Sequence, residues 1–138
     1  MTTWKHLFLD GEFCPRERLL SGLTLEQVTL RPAGASHSIY EELWHATTWQ
    51  RIVVERDEFE AAASLGSEQD YPNEPPDREQ AWHDLVTEFM VGAAKAVEKG
   101  QSRKQTADEL HSLAVHNAYH LGKIVALRQM IGAWPPKP

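Results

Sequence analysis

The sequence predicts an all-α protein, an antiparallel four-helix bundle forming one domain over residues 1–138. Three observations lead there. No run alternates apolar and polar residues for long enough to make a strand. Four principal segments instead carry apolar residues at helical spacing. Short or moderate connections join them, which favours neighbours packed antiparallel.

The first segment is expected from about Trp4 to Leu20, weakened by Gly11 and interrupted by Pro15. Gly22 and Leu23 end it. Thr24-Leu25-Glu26-Gln27 has the form of a capping box, in which hydroxyl and amide satisfy each other's backbone N–H groups, and it starts a short turn closed by Pro32 and Gly34. Ser38-Ile39-Tyr40-Glu41 is a second such box. It opens a long helix expected to reach about Ala63. At about 100° per residue, Ile39, Leu43, Ala46, Trp49, Ile52 and Val53 share one broad arc with His45, and Glu42 points the same way.

Ser64 to Pro76 reads as the one extended loop. The next helix starts at Pro76 or Asp77 and runs to about Lys99, with Trp82, Leu85, Val86, Phe89, Gly92, Ala93 and Ala96 as its buried stripe. Gly92 and Ala93 admit a close neighbour. The last helix starts at Thr106 or Asp108 and runs to about Ile131, where Gly132 and the Trp134-Pro135-Pro136 tail stop it. Leu110, Leu113, Ala114, Leu121, Ile124, Val125 and Leu127 form its apolar arc. His116, Asn117 and His120 interrupt that arc from one side, while His111 points to the exposed sector.

A chain of this size buries roughly two-thirds of its unfolded surface, so it folds without help from metal or disulfides. A net charge of −6 argues against a phosphate-binding surface, and no nucleic-acid partner is expected. The basic stretch Lys99-Gly100-Gln101-Ser102-Arg103-Lys104 reads as a solvated loop. The lone cysteine, Cys14, forms no intrachain disulfide and reads as a small buried residue, which fits a reducing compartment. No signal-length apolar stretch opens the chain and no segment is apolar enough to cross a bilayer, so the expectation is a cytoplasmic protein without a membrane partner.

The chemistry gathers at His116-Asn117-Ala118-Tyr119-His120. On a helix, an i, i+4 pair sends both imidazoles from one face, one turn apart. His45, inside the arc of an earlier helix, supplies a third ring. Imidazoles on apolar faces need hydrogen-bond partners or a metal, and a lone core histidine usually has the former. Three converging from two helices would make a metal site with an open coordination position. Neutral imidazole nitrogen binds zinc, nickel, iron or copper, so the residues alone leave the divalent ion open.

Glu41 belongs to its capping box. Glu42 fits a fourth ligand, an acceptor behind a ligating ring, a general base, or a solvated edge carboxylate; it stays outside the ligand set. Asn117 and Tyr119 sit near enough to touch a ligand, although periodicity turns Tyr119 away from the histidine pair. Arg128, on the buried arc, is expected to pair with a carboxylate such as Asp57 or Glu42. Trp44, Trp49 and Trp82 read as packing residues. A zincin needs glutamate directly after the first histidine, where Asn117 stands. A di-iron bundle needs two inward Glu-x-x-His helices; Glu42 and His45 fit once, but His111 points outwards. No catalytic side chain is assigned.

Four fragments carry a resemblance: Gly22-Leu23-Thr24-Leu25-Glu26-Gln27, Arg31-Pro32, the stretch from His37 to His45, and His116-Asn117-Ala118-Tyr119-His120-Leu121-Gly122-Lys123-Ile124-Val125. From about Leu19 to Pro136 the chain resembles the DinB-like (YfiT-like) superfamily of metal-binding four-helix bundles. The resemblance implies an up-down-down-up bundle, the ligand set His45, His116 and His120 for zinc, nickel or a similar ion, and homodimers formed through helix faces. It also implies a metal that activates a low-molecular-weight thiol, as in relatives that are thiol-dependent S-transferases or a thiol-dependent isomerase. The first expectation is therefore a metal-dependent enzyme of the thiol-dependent S-transferase or hydrolase type, with a low-molecular-weight thiol and a small-molecule electrophile as partners. The competing expectation is a non-enzymatic, stress-associated metal-binding or interaction protein of the same fold.

Overall fold

The computed structural model describes residues 3–55 and 70–138, and these are helical with no strand among them. The end of the second long segment expected at Ala63, and the start of the loop expected at Ser64, lie outside the described residues.

The opening segment differs from the single interrupted helix expected. A helical turn at Thr3–Lys5 continues into a π-helical turn at His6–Asp10, together α1. Gly11 stops it at φ 68°, its N–H reaching back to the His6 carbonyl at 2.8 Å. Only a residue without Cβ adopts that backbone cheaply. The helical path resumes after Pro15 as α2, Arg16–Leu19. Phe8, Leu19 and Leu20 are buried, so both halves still contribute to the core.

α3 spans Leu25–Thr29, and both hydrogen bonds of the Thr24–Gln27 box form, at 3.2 and 2.9 Å. α4 is described over Ile39–Glu55. Its box also closes: Glu41 N–H donates to Ser38 Oγ at 3.2 Å and Ser38 N–H to Glu41 Oε1 at 2.9 Å. Glu41 has a second role that spacing did not suggest. Its carboxylate takes two bonds from the Arg31 guanidinium, at 2.8 and 2.6 Å, which ties the α3–α4 connection to the helix start.

α5 spans Glu79–Gln101 and α6 spans Ala107–Met130, the latter capped by Thr106 through Glu109 N–H. α4 packs along both α5 and α6, which meet each other far less, and α1 lies across α5. Two apolar clusters result. One gathers Leu20, Leu43, Trp82, Phe89, Leu121 and Ile124; the other gathers Phe8, Val54, Ala93, Leu110, Leu113 and Ala114. Cys14 is buried in the first, as expected.

Between the cluster residues of each helix stands a polar pair. Gln50 Nε2 donates to the Phe89 carbonyl and its Oε1 accepts from Asn117 Nδ2, both at 2.9 Å. Gln50 and Asn117 are 1% and 2% exposed, so this bridge across three helices is shielded from water and worth more than a surface bond.

Arg128 corrects a sequence expectation. It is buried but pairs with no carboxylate among the described residues; the proposed partner Asp57 lies outside them. Its guanidinium donates instead to the carbonyls of Leu19, Ser21 and Ala133 at 2.6, 2.8 and 2.9 Å. These carbonyls lie at or just past the ends of α2 and α6, with no helical partner, and the planar fork of donors suits them. Among the described residues, no helix is long and apolar enough to cross a membrane.

Candidate metal centre

α4 and α6 bring His45, His116 and His120 together, with one ring nitrogen of each within 4.8 Å of the others. The ring centroids stand 4.5–5.2 Å apart. His120 is 4% exposed, and the other two are half-buried. Each of the three residues singled out by spacing therefore reaches the same cluster.

Two of the rings have their outer nitrogen anchored. His45 Nδ1 lies 2.7 Å from the Asp70 carbonyl oxygen, which can only accept, so the hydrogen of His45 is on Nδ1. His120 Nδ1 lies 2.6 Å from Glu42 Oε2. Burial pushes the Glu42 carboxyl up, but the His120 bond and the nearby Lys123, His120 and His37 hold it below the ordinary carboxylate range. An ionised Glu42 accepts, so His120 also carries its hydrogen on Nδ1. In the neutral form of each ring, Nε2 then carries the lone pair.

His116 completes the set differently. Its Nε2 stands 3.2 Å from His45 Nε2, and its Nδ1 is buried with no protein partner. Burial, reinforced by His120 and His45, lowers its pKa to about 4. Burial likewise lowers His45, with His120 adding to it against the Asp70 carbonyl. Both rings are neutral at pH 7, the form that binds metal. Neutral nitrogen donors gathered this closely, two tautomerically fixed from behind and one with an unsatisfied buried nitrogen, fit a borderline divalent cation.

Of the roles open to Glu42, the geometry selects the acceptor behind His120. It is 3% exposed, so it is no solvated edge residue. Its Oε1 has His37 Nδ1 and Lys123 Nζ each at 3.6 Å. Tyr119 is 60% exposed, yet its ring stands edge-on to His120 at 5.1 Å and lies under Lys123 Nζ at 4.8 Å. Periodicity placed it further from the site than it is. Asn117 points into the core and bonds Gln50.

Sequence reasoning missed His37, Tyr71 and Lys123. Tyr71 is sandwiched: its ring stacks on His37 at 3.6 Å and 8°, and on His45 at 4.8 Å and 18°. Lys123 was within reach of a spacing argument, one turn after His120. Tyr71 lies in a loop, where periodicity carries no information.

The family model of the DinB superfamily matches residues 17–124, a stretch containing all three histidines. The chain belongs to the DinB superfamily. No curated protein and no solved structure matches it significantly. For this DinB member the family match concerns the residues along the chain, and the histidine geometry concerns their meeting in space.

Proposed function

We propose that this DinB protein is a divalent-metal-dependent enzyme of the S-transferase or hydrolase type, with His45, His116 and His120 holding the ion. The observation that carries the reading is the meeting of three imidazoles, two of them anchored by Asp70 and Glu42. A bound divalent ion supplies positive charge that favours deprotonation of water or a thiol at neutral pH. Three protein ligands are the number used where a coordination position stays open.

The chain's own residues do the rest. Glu42 keeps the His120 hydrogen on Nδ1 and so leaves Nε2 for the ion. Lys123 Nζ, 3.6 Å from Glu42 Oε1, balances the buried Glu42 charge. Zinc or nickel is the proposed ion, with iron or manganese as the alternatives; imidazole accepts several first-row ions. A low-molecular-weight thiol and a small electrophile are the proposed substrates, in a reducing, cytoplasmic setting that suits a chain with one cysteine.

The proposed architecture is the up-down-down-up four-helix bundle, in one domain. Its support is the order of core residues: passing from the first apolar cluster to the second, numbering rises on α4 and α5 and falls on α6. A homodimer is proposed through α6, where Val115, Tyr119 and Met130 are exposed at helical spacing.

Elemental analysis of untagged protein tests the site. One divalent ion per chain is expected, falling to background in the double variant His116→Ala, His120→Ala. Full occupancy in that variant refutes it. A screen of thiols with electrophilic acceptors, and of hydrolase substrates, tests the enzyme class; a metal-loaded protein inactive in both is a binding protein instead.

A further inference from the structure

We infer that Tyr71 is a positioning residue for the three-histidine site, holding the plane of the His45 ring from a loop that sequence patterning leaves unread. The inference rests on the cation-site reading above and assigns one of its supports.

The argument begins with torsions. The last side-chain torsion of histidine is broad and roughly two-fold, so a helix fixes where the ring starts but not which way it faces. Contacts must do that. His120 has Glu42 behind it and is buried on every side. His45 is only half-buried, and apart from the neighbouring His116 and His120 rings the groups set against it come from one loop. The Asp70 carbonyl takes its Nδ1 hydrogen at 2.7 Å, and the next residue, Tyr71, lies nearly parallel to its face at 4.8 Å and 18°.

Tyr71 is itself pinned. On its far side His37 stacks at 3.6 Å and 8°, closer and flatter than the His45 contact. His37 Nδ1 in turn stands 3.6 Å from Glu42 Oε1, whose other oxygen holds His120. The supports of two proposed ligands thus form one series of contacts: His45, Tyr71, His37, Glu42, His120, in which the His37–Glu42 step lies beyond hydrogen-bond reach. A ligand held by such a series loses orientation when a neighbouring member is removed, without losing its place on the helix.

The phenol hydroxyl is not what this role requires; the flat ring is. Tyr71→Phe keeps the ring and Tyr71→Leu removes it at modest volume cost. Untagged protein is titrated with cobalt(II), whose visible bands report coordination geometry. The expected result is near wild-type affinity and band shape for Tyr71→Phe. Tyr71→Leu is expected to weaken cobalt binding about tenfold or more and to change the bands. His37→Leu, which removes the outer layer, is expected to shift the bands in the same direction. Thermal unfolding of the metal-free variants within a few degrees of wild type separates positioning from loss of fold.

A second readout needs no metal. Nitrogen NMR of the histidine side chains is expected to show His45 as the Nδ1–H tautomer in wild type and Tyr71→Phe, and as a mixture in Tyr71→Leu. Unchanged cobalt affinity and bands together with an unchanged His45 tautomer in Tyr71→Leu overturn the inference. Wild-type protein that takes up no cobalt, zinc or nickel overturns the cation-site reading itself, a result distinct from a metal-binding wild type whose Tyr71 variants behave identically.

Discussion

Glu42 Oε2 and His120 Nδ1 are 2.6 Å apart in a setting where both side chains are almost wholly buried. A carboxylate in that position orients the ring, fixes its tautomer and raises the basicity of the opposite nitrogen. Glu42→Gln keeps the shape but removes the charge, and its amide must turn its oxygen to the ring to accept at all. The expected outcome is a loss of about 10- to 100-fold in zinc affinity, read by competition with a chromophoric chelator. Affinity within twofold of wild type would leave Glu42 a bystander.

The pH dependence of metal-free stability follows from His116. Its pKa of about 4 in the folded protein lies below the ordinary histidine value of about 6.5, because burial and the two neighbouring rings disfavour the charged form. Between those values the unfolded chain binds the extra proton and the folded one does not. Stability contributed this way is present above about pH 6.5 and is lost as pH falls towards 4, with no further loss below. After allowance for partial exposure the loss is about 1 kcal/mol. Chelator-treated His116→Gln should show a flatter melting-temperature profile between pH 7 and 5 than wild type. Parallel profiles would mean that the ring titrates normally.

The histidine cluster was legible in the sequence because helical periodicity is a rule about directions. His116 and His120 share a face by spacing alone, and His45 shares an arc with Leu43 and Ala46. The starts of α3 and α4 were legible for a different reason. A capping box is a local exchange of two hydrogen bonds, and Thr24–Gln27 and Ser38–Glu41 both make it. What could not be read were contacts fixed by neither period nor neighbour. Tyr71 reaches His45 because of how a loop folds back. The partners of Arg128 are carbonyls, which every residue has, so no side-chain pattern could point to them. The π-helical turn at His6–Asp10 has no counterpart in the apolar pattern; it follows Trp4, whose ring lies against Gly100 of α5.

Arg128 offers a sharp stability test. It is 1% exposed and serves three carbonyls, two of them more than a hundred positions away along the chain. Replacement by leucine keeps much of the apolar volume but leaves Leu19, Ser21 and Ala133 carbonyls without their donor. Each charge-assisted bond is worth about 1.5–3 kcal/mol, and the losses are not additive. Arg128→Leu should therefore destabilise the protein by about 2–4 kcal/mol in urea unfolding, and Arg128→Lys by a smaller amount. If Arg128→Leu is as stable as wild type, the guanidinium is not tying α2 to the end of α6.

Gly92 tests the polar bridge in the core by a cycle of variants. A Cβ at Gly92 would fall 2.4 Å from Gln50 Nε2, closer than atoms tolerate, and a tight 3.2 Å from its Cδ. Gln50 cannot simply move aside, since it is 1% exposed and bonded at both ends of its amide, to Phe89 and to Asn117. Alanine in place of glycine favours the helix by about 1 kcal/mol, whereas overpacking and a broken buried amide network cost about 1–3 kcal/mol each. The second effect wins, so Gly92→Ala should be net destabilising by about 1–2 kcal/mol. In a Gln50→Ala background the obstacle is gone and only the helix preference remains. There the same substitution should be neutral or stabilising, a reversal of sign that denaturant titration of the four proteins would register as a coupling energy. Equal effects in both backgrounds would show that Gln50 does not occupy the space glycine leaves between α4 and α5.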